Sequence, residues 1–485
     1  MSNGIYFLLA TAGLIVGYIV YGAFVAKVFG ENGNRPTPAI TKADGVDYVV
    51  MPTWKVWLVQ LLNIAGVGPV FGPILGALYG PTALLWIVIG SIFAGAVHDY
   101  MSGMLSIRYG GCNLPVIVGN TLGNVAKNLM RVFAVVLLVL VGVVFAKAPA
   151  GLLAKMTPDV ITYNAWLFII FGYYFIATIM PIDKIIGRLY PIFGAVLMIM
   201  AVGMSVMMFI SSDFVFFDGV SWASHHPKNL PLFPLVFITI ACGALSGFHS
   251  TQSPLMARCL ANERFGRPVF YGGMIAEGFI GLVWATVGMS FYHGPDGLLA
   301  AIGNGGPAAV VHESAIALMG GFGGILAILG VVALPITSGD TAFRAARLTI
   351  AEVFNYSQRP IPSRLILAVP LFLCGIILCQ VGFATIWNYF GWSNQSLACI
   401  TLWAGAMYLA NRKRLHWICT VPAFFMTVVC VSFICFDPKL GFGMPIHIAN
   451  SVGLAAAVCA FVLFILYSSK VTVAPDEAVE GVKEI

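Results

Sequence analysis

Apolar runs of roughly 17 to 25 residues, the length that crosses a hydrocarbon core at helical rise, recur from one end of the chain to the other. About thirteen can be marked, near residues 4–28, 55–79, 82–106, 128–148, 164–181, 187–211, 231–256, 269–292, 320–345, 363–381, 385–410, 415–436 and 447–468. A transmembrane β-barrel would show strands of about ten residues alternating between lipid and lumen, whereas these runs are apolar all round. The pattern predicts an all-α polytopic membrane protein with about thirteen transmembrane helices. The opening MSNG lacks the cationic start of a signal peptide, and no small-residue cleavage pattern follows the first run, so that run reads as a retained span.

Two of the runs are interrupted. In LLNIAGVGPVFGPILGALYG, residues 61–80, Gly68, Gly72, Gly76 and Gly80 recur every fourth position and lay a smooth stripe along a helix, which suits close helix packing. That stripe leaves Pro69, Pro73, Gly66 and Asn63 unexplained. Proline removes a backbone donor and clashes with the carbonyl four residues earlier, so carbonyls near Ala65 and Pro69 lose their usual partners. In a bilayer such groups must be buried in protein, face water or hold a ligand. The second stretch, ITIACGALSGFHSTQSPLMARC, begins as an apolar span and turns to Gly243, Ser246, Gly247, His249, Ser250, Thr251, Gln252, Ser253 and Pro254.

The two interruptions lie about 180 residues apart in spans of opposite direction. Discontinuous helices in matching positions of inverted halves are the mark of a transporter repeat, with half-helix ends free to hold a substrate or ion. Residues 55–211 would form the first five-helix repeat and residues 231–410 the second. Residues 1–54, with one extra helix and a loop, and residues 411–485, with extra helices and a short tail, would lie outside the repeat. A channel is the less favoured reading, because pores are more often built by symmetric subunits around an axis.

Composition agrees with this class: 60% of residues are hydrophobic, 9% are charged, and the mean hydropathy is +0.94. Lysines and arginines are retained on the cytoplasmic side during insertion. With the N-terminus outside and the C-terminus inside, only Lys147, Lys155, Lys228 and Lys439 of the 25 basic residues fall outside. The net charge of +6 is then a topology signal and points away from a nucleic-acid partner. The ten cysteines form no CxxC pair and read as small buried hydrophobes rather than disulfides or a metal set. No phosphate-binding loop, dinucleotide fingerprint, nucleophile and base pair or dense ligand cluster suggests an enzyme, and no cofactor is expected.

Five segments, NIAGVGPVFGPILGALYGP, GAVHDYMSGMLSIRYGG, ACGALSGFHSTQSP, ALPITSGDTAFRAARLTIAE and YFGWSNQSLA, occur in order between about residues 45 and 410. Together they resemble the carbon starvation protein A family, of which this chain would be a short form. The resemblance implies a bacterial inner-membrane transporter with the leucine-transporter-type inverted-repeat fold. It also implies peptide uptake or proton-coupled pyruvate uptake, the activities assigned to different branches. Many members carry a small-residue run and a Thr-Pro-Lys stretch after the Gly-Phe-His segment, where this chain has HSTQSPLMAR.

Titratable side chains within spans are costly and usually face a cavity or a partner. His98 with Asp99, His249, Glu277 and Asp340 are the candidates for ion coupling. His249 reads either as a substrate contact and proton carrier or as a neutral ring bonded to a carbonyl. His98 and Asp99 read as coupling groups or as a pin for a helix end. Asp340 either joins a cation shell or pairs with Arg344 one helical turn on. Thr337, Ser338 and Thr341 offer hydroxyl oxygens of the kind hard cations prefer, and in the resembled fold the eighth repeat helix shares a sodium site with carbonyls of the broken first helix, here Ala65 to Gly68. Trp387, Asn388, Tyr389, Trp392, Asn394 and Gln395 read as anchors at the outer interface.

The sequence thus points to a secondary active transporter importing a small carboxylate or short peptide by proton- or sodium-coupled alternating access. The expected substrate contacts are Asn63, Gly66, Gly68, Ser246, Gly247, His249 and Gln252. A channel or nutrient sensor without coupled transport is the alternative. The expected partners are the small-molecule cargo and the bilayer, and the oligomeric state is left open.

Overall fold

The computed structural model describes residues 4–45, 48–157, 160–179, 186–217, 223–358, 360–468, 470 and 476. Lys184, Arg359 and Lys483, counted above on the inner side, lie outside these residues, as does most of the C-terminal tail. Among the described residues the secondary structure is helical, apart from one isolated bridge between Met51 and Leu260. That outcome follows from the sequence, because backbone groups inside a bilayer must find partners within their own segment.

The helices are α1 (Ile5–Phe29), α2 (Thr53–Ile64), α3 (Gly68–Gly76), α4 (Thr82–Arg108), α5 (Asn124–Met156), α6 (Tyr163–Ile179), α7 (Ile186–Ile210) and α8 (Leu235–Thr239). They continue as α9 (His249–Ala257), α10 (Glu263–Ser290), α11 (Pro295–Ile328), α12 (Leu334–Val353), α13 (Ile361–Leu378), α14 (Phe383–Asn411), α15 (Trp417–Phe436) and α16 (Ile446–Ser468). Their burial sorts them into two layers. In α4 and α10, 78% and 83% of the apolar window is buried, whereas in α1 and α16 only 22% is. The outer helices turn side chains such as Leu9, Val20, Leu463 and Leu466 outward, as lipid-facing surfaces do, and the inner ones surround the two interruptions.

Both interruptions are real. α2 and α3 are separated by Ala65–Val67 and bent by 49°. α8 and α9 are separated by residues 240–248, where Gly243 takes a left-handed φ of +84° that side-chain-bearing residues adopt at a cost. The glycine ladder packs directly on this second break: a Cβ at Gly72 would lie 3.2 Å from the carbonyl oxygen of Thr239, and one at Gly68 would overlap Cys242. Close packing and interruption, two separate readings of residues 61–80, are therefore one feature, since the stripe exists to admit the other broken helix.

The expected count of thirteen spans is not reproduced. Nine helices among the described residues are long and apolar enough to cross a membrane, ten with the bent pair α2 and α3. Physical reasons separate the two numbers. α6 is a shorter apolar helix, α8 and α9 are fragments, α12 carries Asp340, Arg344, Arg347 and Glu352 along one helix, and α14 also falls outside the nine, whereas Pro295–Ile328, mostly loop in the expected pattern, falls within them. The expected span at 320–345 and its outer loop are also redrawn. Residues 295–328 form α11, kinked at Gly306 and Gly320, and a π-turn at Leu329–Ala333 leads into α12.

Substitutions at the packed glycines report on this arrangement. A Cβ at Gly247 would overlap backbone atoms of Asn394 and Ala398, while one at Gly151 meets nothing within 4 Å. Gly247→Ala is expected to cost about 1–3 kcal/mol by overpacking, read as a lower melting temperature of the detergent-purified protein, with Gly151→Ala unchanged.

Candidate functional site

α4 contains a π-turn at Ser91–Gly95 and then carries His98 and Asp99. Such turns leave backbone carbonyls to be satisfied by neighbours, and here the Tyr271 hydroxyl of α10 donates to the Ile92 carbonyl at 2.9 Å. The same turn meets the second break, where the Ser91 hydroxyl donates to the Gly243 carbonyl at 3.0 Å. α4, the second break and α10 are thereby held in one register, which sets the titratable groups in a row.

The row is continuous. His98 Nδ1 lies 2.8 Å from Asp99 Oδ1, and Asp99 Oδ2 lies 2.9 Å from Nδ1 of His249, the first residue of α9. His249 Nε2 stands 3.2 Å from Glu277 Oε2, and the other Glu277 oxygen accepts the backbone N–H of Gly243 at 3.1 Å. All four side chains have no exposed surface. Two buried carboxylates are tolerated only with compensating protons or cations, so the protons here belong to the cluster as a whole rather than to one residue.

The second break is satisfied by side chains. The Asn394 carboxamide of α14 accepts the Phe248 N–H at 2.7 Å and donates to the Ala241 carbonyl at 2.7 Å, while the Gln395 amide donates to the Phe237 carbonyl at 2.8 Å. Asn394 also meets the Ser246 hydroxyl at 3.1 Å. These two amides, with Trp387, are buried, which corrects their reading as interfacial anchors. An apolar helix needs no adjacent amide pair for its own sake, and that was the available signal: Asn and Gln in a buried span are there to meet loose backbone elsewhere.

The remaining candidates fall in several places. Asn63 and Gln252 are buried, each with a side-chain oxygen that has no hydrogen-bond partner, and Gly66 closes against the Phe145 ring. Ser338 lies beside the first break, its hydroxyl donating to the Leu62 carbonyl at 3.4 Å, whereas the Thr337 and Thr341 hydroxyls donate to Leu334 and Ser338 of their own helix, each at 2.8 Å. Ala65 ends α2. Asp340 accepts from the Tyr173 hydroxyl of α6 at 3.1 Å, and Arg344 donates to the Ala177 carbonyl. Asp340 is thus placed in a contact of its own and does not extend the row.

Sequence reasoning missed Cys242, which was taken for a small hydrophobe. Its sulfur, a His249 ring nitrogen and a Glu277 oxygen lie within 4.8 Å of one another, close enough to hold one small cation. The other cysteines are free as well, and most of them are buried.

The model of the carbon starvation protein CstA family matches residues 3–163, 159–294 and 299–432. The chain belongs to the CstA family. An uncharacterized membrane protein of Haemophilus influenzae is 47% identical over 351 residues, 62% of this chain and 95% of its own length. The Escherichia coli peptide transporter CstA is 26% identical over 86% of this chain and 78% of its own. The pyruvate/proton symporter BtsT of the same organism is 26% identical over 56% of this chain and 46% of its own. Among solved structures, the nucleobase-cation-symport-1 transporter Mhp1, closed with bromovinylhydantoin bound, superposes with a TM-score of 0.52 at 14% identity, covering 86% of this chain and 92% of its own. MhsT in complex with L-phenylalanine gives 0.52 at 15%, covering 85% and 98%. At these identities the likeness is one of fold alone, while the Escherichia coli relatives bear the names of transporters and not of enzymes.

Within this CstA-family chain, Asn394→Leu would strip two partners from the second break. Leaving the Phe248 N–H and the Ala241 carbonyl unpaired is expected to cost about 1–3 kcal/mol each, seen as a lower melting temperature and faster amide hydrogen exchange across residues 241–248.

Proposed function

We propose that this protein is a secondary active transporter of the bacterial cytoplasmic membrane that imports a small carboxylate or a short peptide by proton-coupled alternating access. The observation that carries the reading is the His249 ring held between Asp99 at 2.9 Å and Glu277 at 3.2 Å, with Glu277 also bonded to the Gly243 amide of the second break. A proton arriving at this row changes the charge that the Gly243 N–H faces, so protonation and the shape of the break are linked. His98 and Asp99 extend the row and give the proton a path along α4.

The cargo lies beside the breaks in this reading. The N-termini of α3 and α9 present amide donors and a favourable dipole to a carboxylate, with Asn63, Gly66, Gly68, Ser246, Gly247, His249 and Gln252 around it. In the open state the Asn394 amide yields the groups it now occupies. The N-terminus is outside and the C-terminus inside, supported by the basic residues Arg35, Arg108, Arg258, Arg264 and Arg412 on the segments assigned to the inner face. Sodium is a second reading for the driving ion, favoured by Ser338 at the Leu62 carbonyl of the first break.

Purified protein in liposomes, given a pH or a sodium gradient and labelled pyruvate or a dipeptide, tests cargo and coupling together. Accumulation under the pH gradient is expected, and uptake of neither compound under either gradient removes the proposed cargo class. Glu277→Gln is expected to lower gradient-driven accumulation by about 5- to 150-fold while counterflow exchange of cargo persists, and His249→Gln, which also faces the cargo, to lower both. Full gradient-driven accumulation by Glu277→Gln would show that the proton travels elsewhere.

A further inference from the structure

Away from the central row, a second group of charges gathers where three separate segments end. Asp476, in the tail beyond α16, accepts from Arg35 Nη1 at 2.9 Å, Arg108 Nη1 at 2.8 Å, the Tyr408 hydroxyl at 3.1 Å and Arg412. Glu263, fully buried, accepts from Arg108 Nη2 and from the Asn32 N–H, each at 2.9 Å. Arg108 stacks over Phe29 and Arg412 over Tyr408, with guanidinium carbons 5.1 and 3.8 Å from the ring centres. Arg35 and Arg108 also face Glu263, at 4.0 and 2.8 Å.

The segments joined are the ones that a transport cycle has to separate. Arg108 is the last residue of α4, which carries His98 and Asp99 about three turns away. Arg412 follows α14, whose Asn394 caps the second break. Arg35 lies in the loop after α1. We propose that the Asp476 carboxylate is an intramolecular latch that ties the cytoplasmic ends of α4 and α14 together and releases them for inward opening. The latch rests on the transporter reading and on its inside placement of this face.

Its chemistry suits a contact that is made and broken. Asp476 and Arg108 are largely shielded, at 14% and 7% side-chain exposure, whereas Arg35 and Arg412 keep 26% and 22%, so water reaches the pairs and limits their strength. Burial alone would raise the Asp476 pKa, but Arg108, Arg412 and Arg35 outweigh it and hold the carboxyl below its usual range. A depressed carboxylate pKa keeps its interaction above that value and loses it only as the pH falls through it. The latch therefore stays charged at neutral pH, and its release requires displacement or substitution.

Cys112, partly buried four residues beyond Arg108, reports the opening of this end. The full chain in detergent is treated with a polar maleimide, and labelling of the Cys112 peptide is followed by mass spectrometry as its ratio to the unmodified peptide. Asp476→Asn is expected to speed Cys112 labelling about two- to fivefold, Arg412→Gln to act in the same direction, and the double variant to add nothing further. Asp476→Glu keeps the carboxylate and is expected to label at the wild-type rate. Wild-type labelling in Asp476→Asn, or full additivity in the double variant, overturns the latch. The assay needs neither cargo nor gradient, so failure of gradient-driven uptake and failure of the latch are separate results.

Discussion

A peptide group inside a bilayer must have a partner, and the second broken helix violates that requirement over nine residues, 240–248, unless other helices intervene. They do so with side chains: Asn394 and Gln395 from α14, Ser91 from α4 and Glu277 from α10. Each of these polar groups would be a liability in an apolar helix, and each becomes tolerable because the break supplies what it lacks. The centre of the molecule is thus a set of mutual obligations between loose backbone and otherwise misplaced side chains. Removing one partner strands the other, which is why buried polar networks are held together more tightly than their single bonds suggest.

The same economy places the ionisable groups. His249 begins α9 because the break ends there, and Glu277 reaches the break because α10 passes close enough for Gly281 to face Gly243 without side chains between them. Glu277 therefore serves as a structural cap through one oxygen and as a member of the titratable row through the other. A carboxylate with both duties couples chemistry to conformation without any intervening mechanism, since a change at one oxygen alters the bond made by the other.

Much of this was legible from the residues. Breaker-rich stretches announce discontinuity, a four-residue glycine period announces close approach, and charged groups in apolar runs announce buried polar contacts. What the sequence could not convey was azimuth and partnership. Asp340 is as unusual for its span as Glu277, yet it faces Tyr173 while Glu277 faces His249, and no one-dimensional pattern separates the two. Asn394 was misplaced because hydropathy assigns an amide near a run's edge to the interface, whereas its depth is decided by the break it serves. The span count differs from the number of long apolar helices because helices rich in internal partners, such as α12, do not need to be apolar.

In the contact between the two broken helices, the first helix offers a stripe without side chains, against which the side chains of Ile240 and Cys242 and the backbone of Thr239 lie. Gly68, Gly72 and Gly76 face Thr239–Cys242, and Gly243 faces Gly281 and the Pro73 ring. Surfaces that interlock by knobs and grooves must unlock one rotamer after another before they can move, and each step raises a barrier. Side chains on one face only, laid against a smooth glycine stripe, meet no grooves that hold them in place, while the tight clearance at Gly72 leaves no room for tilting. The clearance between the two broken helices is thereby set by glycine, and any Cβ added along the stripe would wedge them apart.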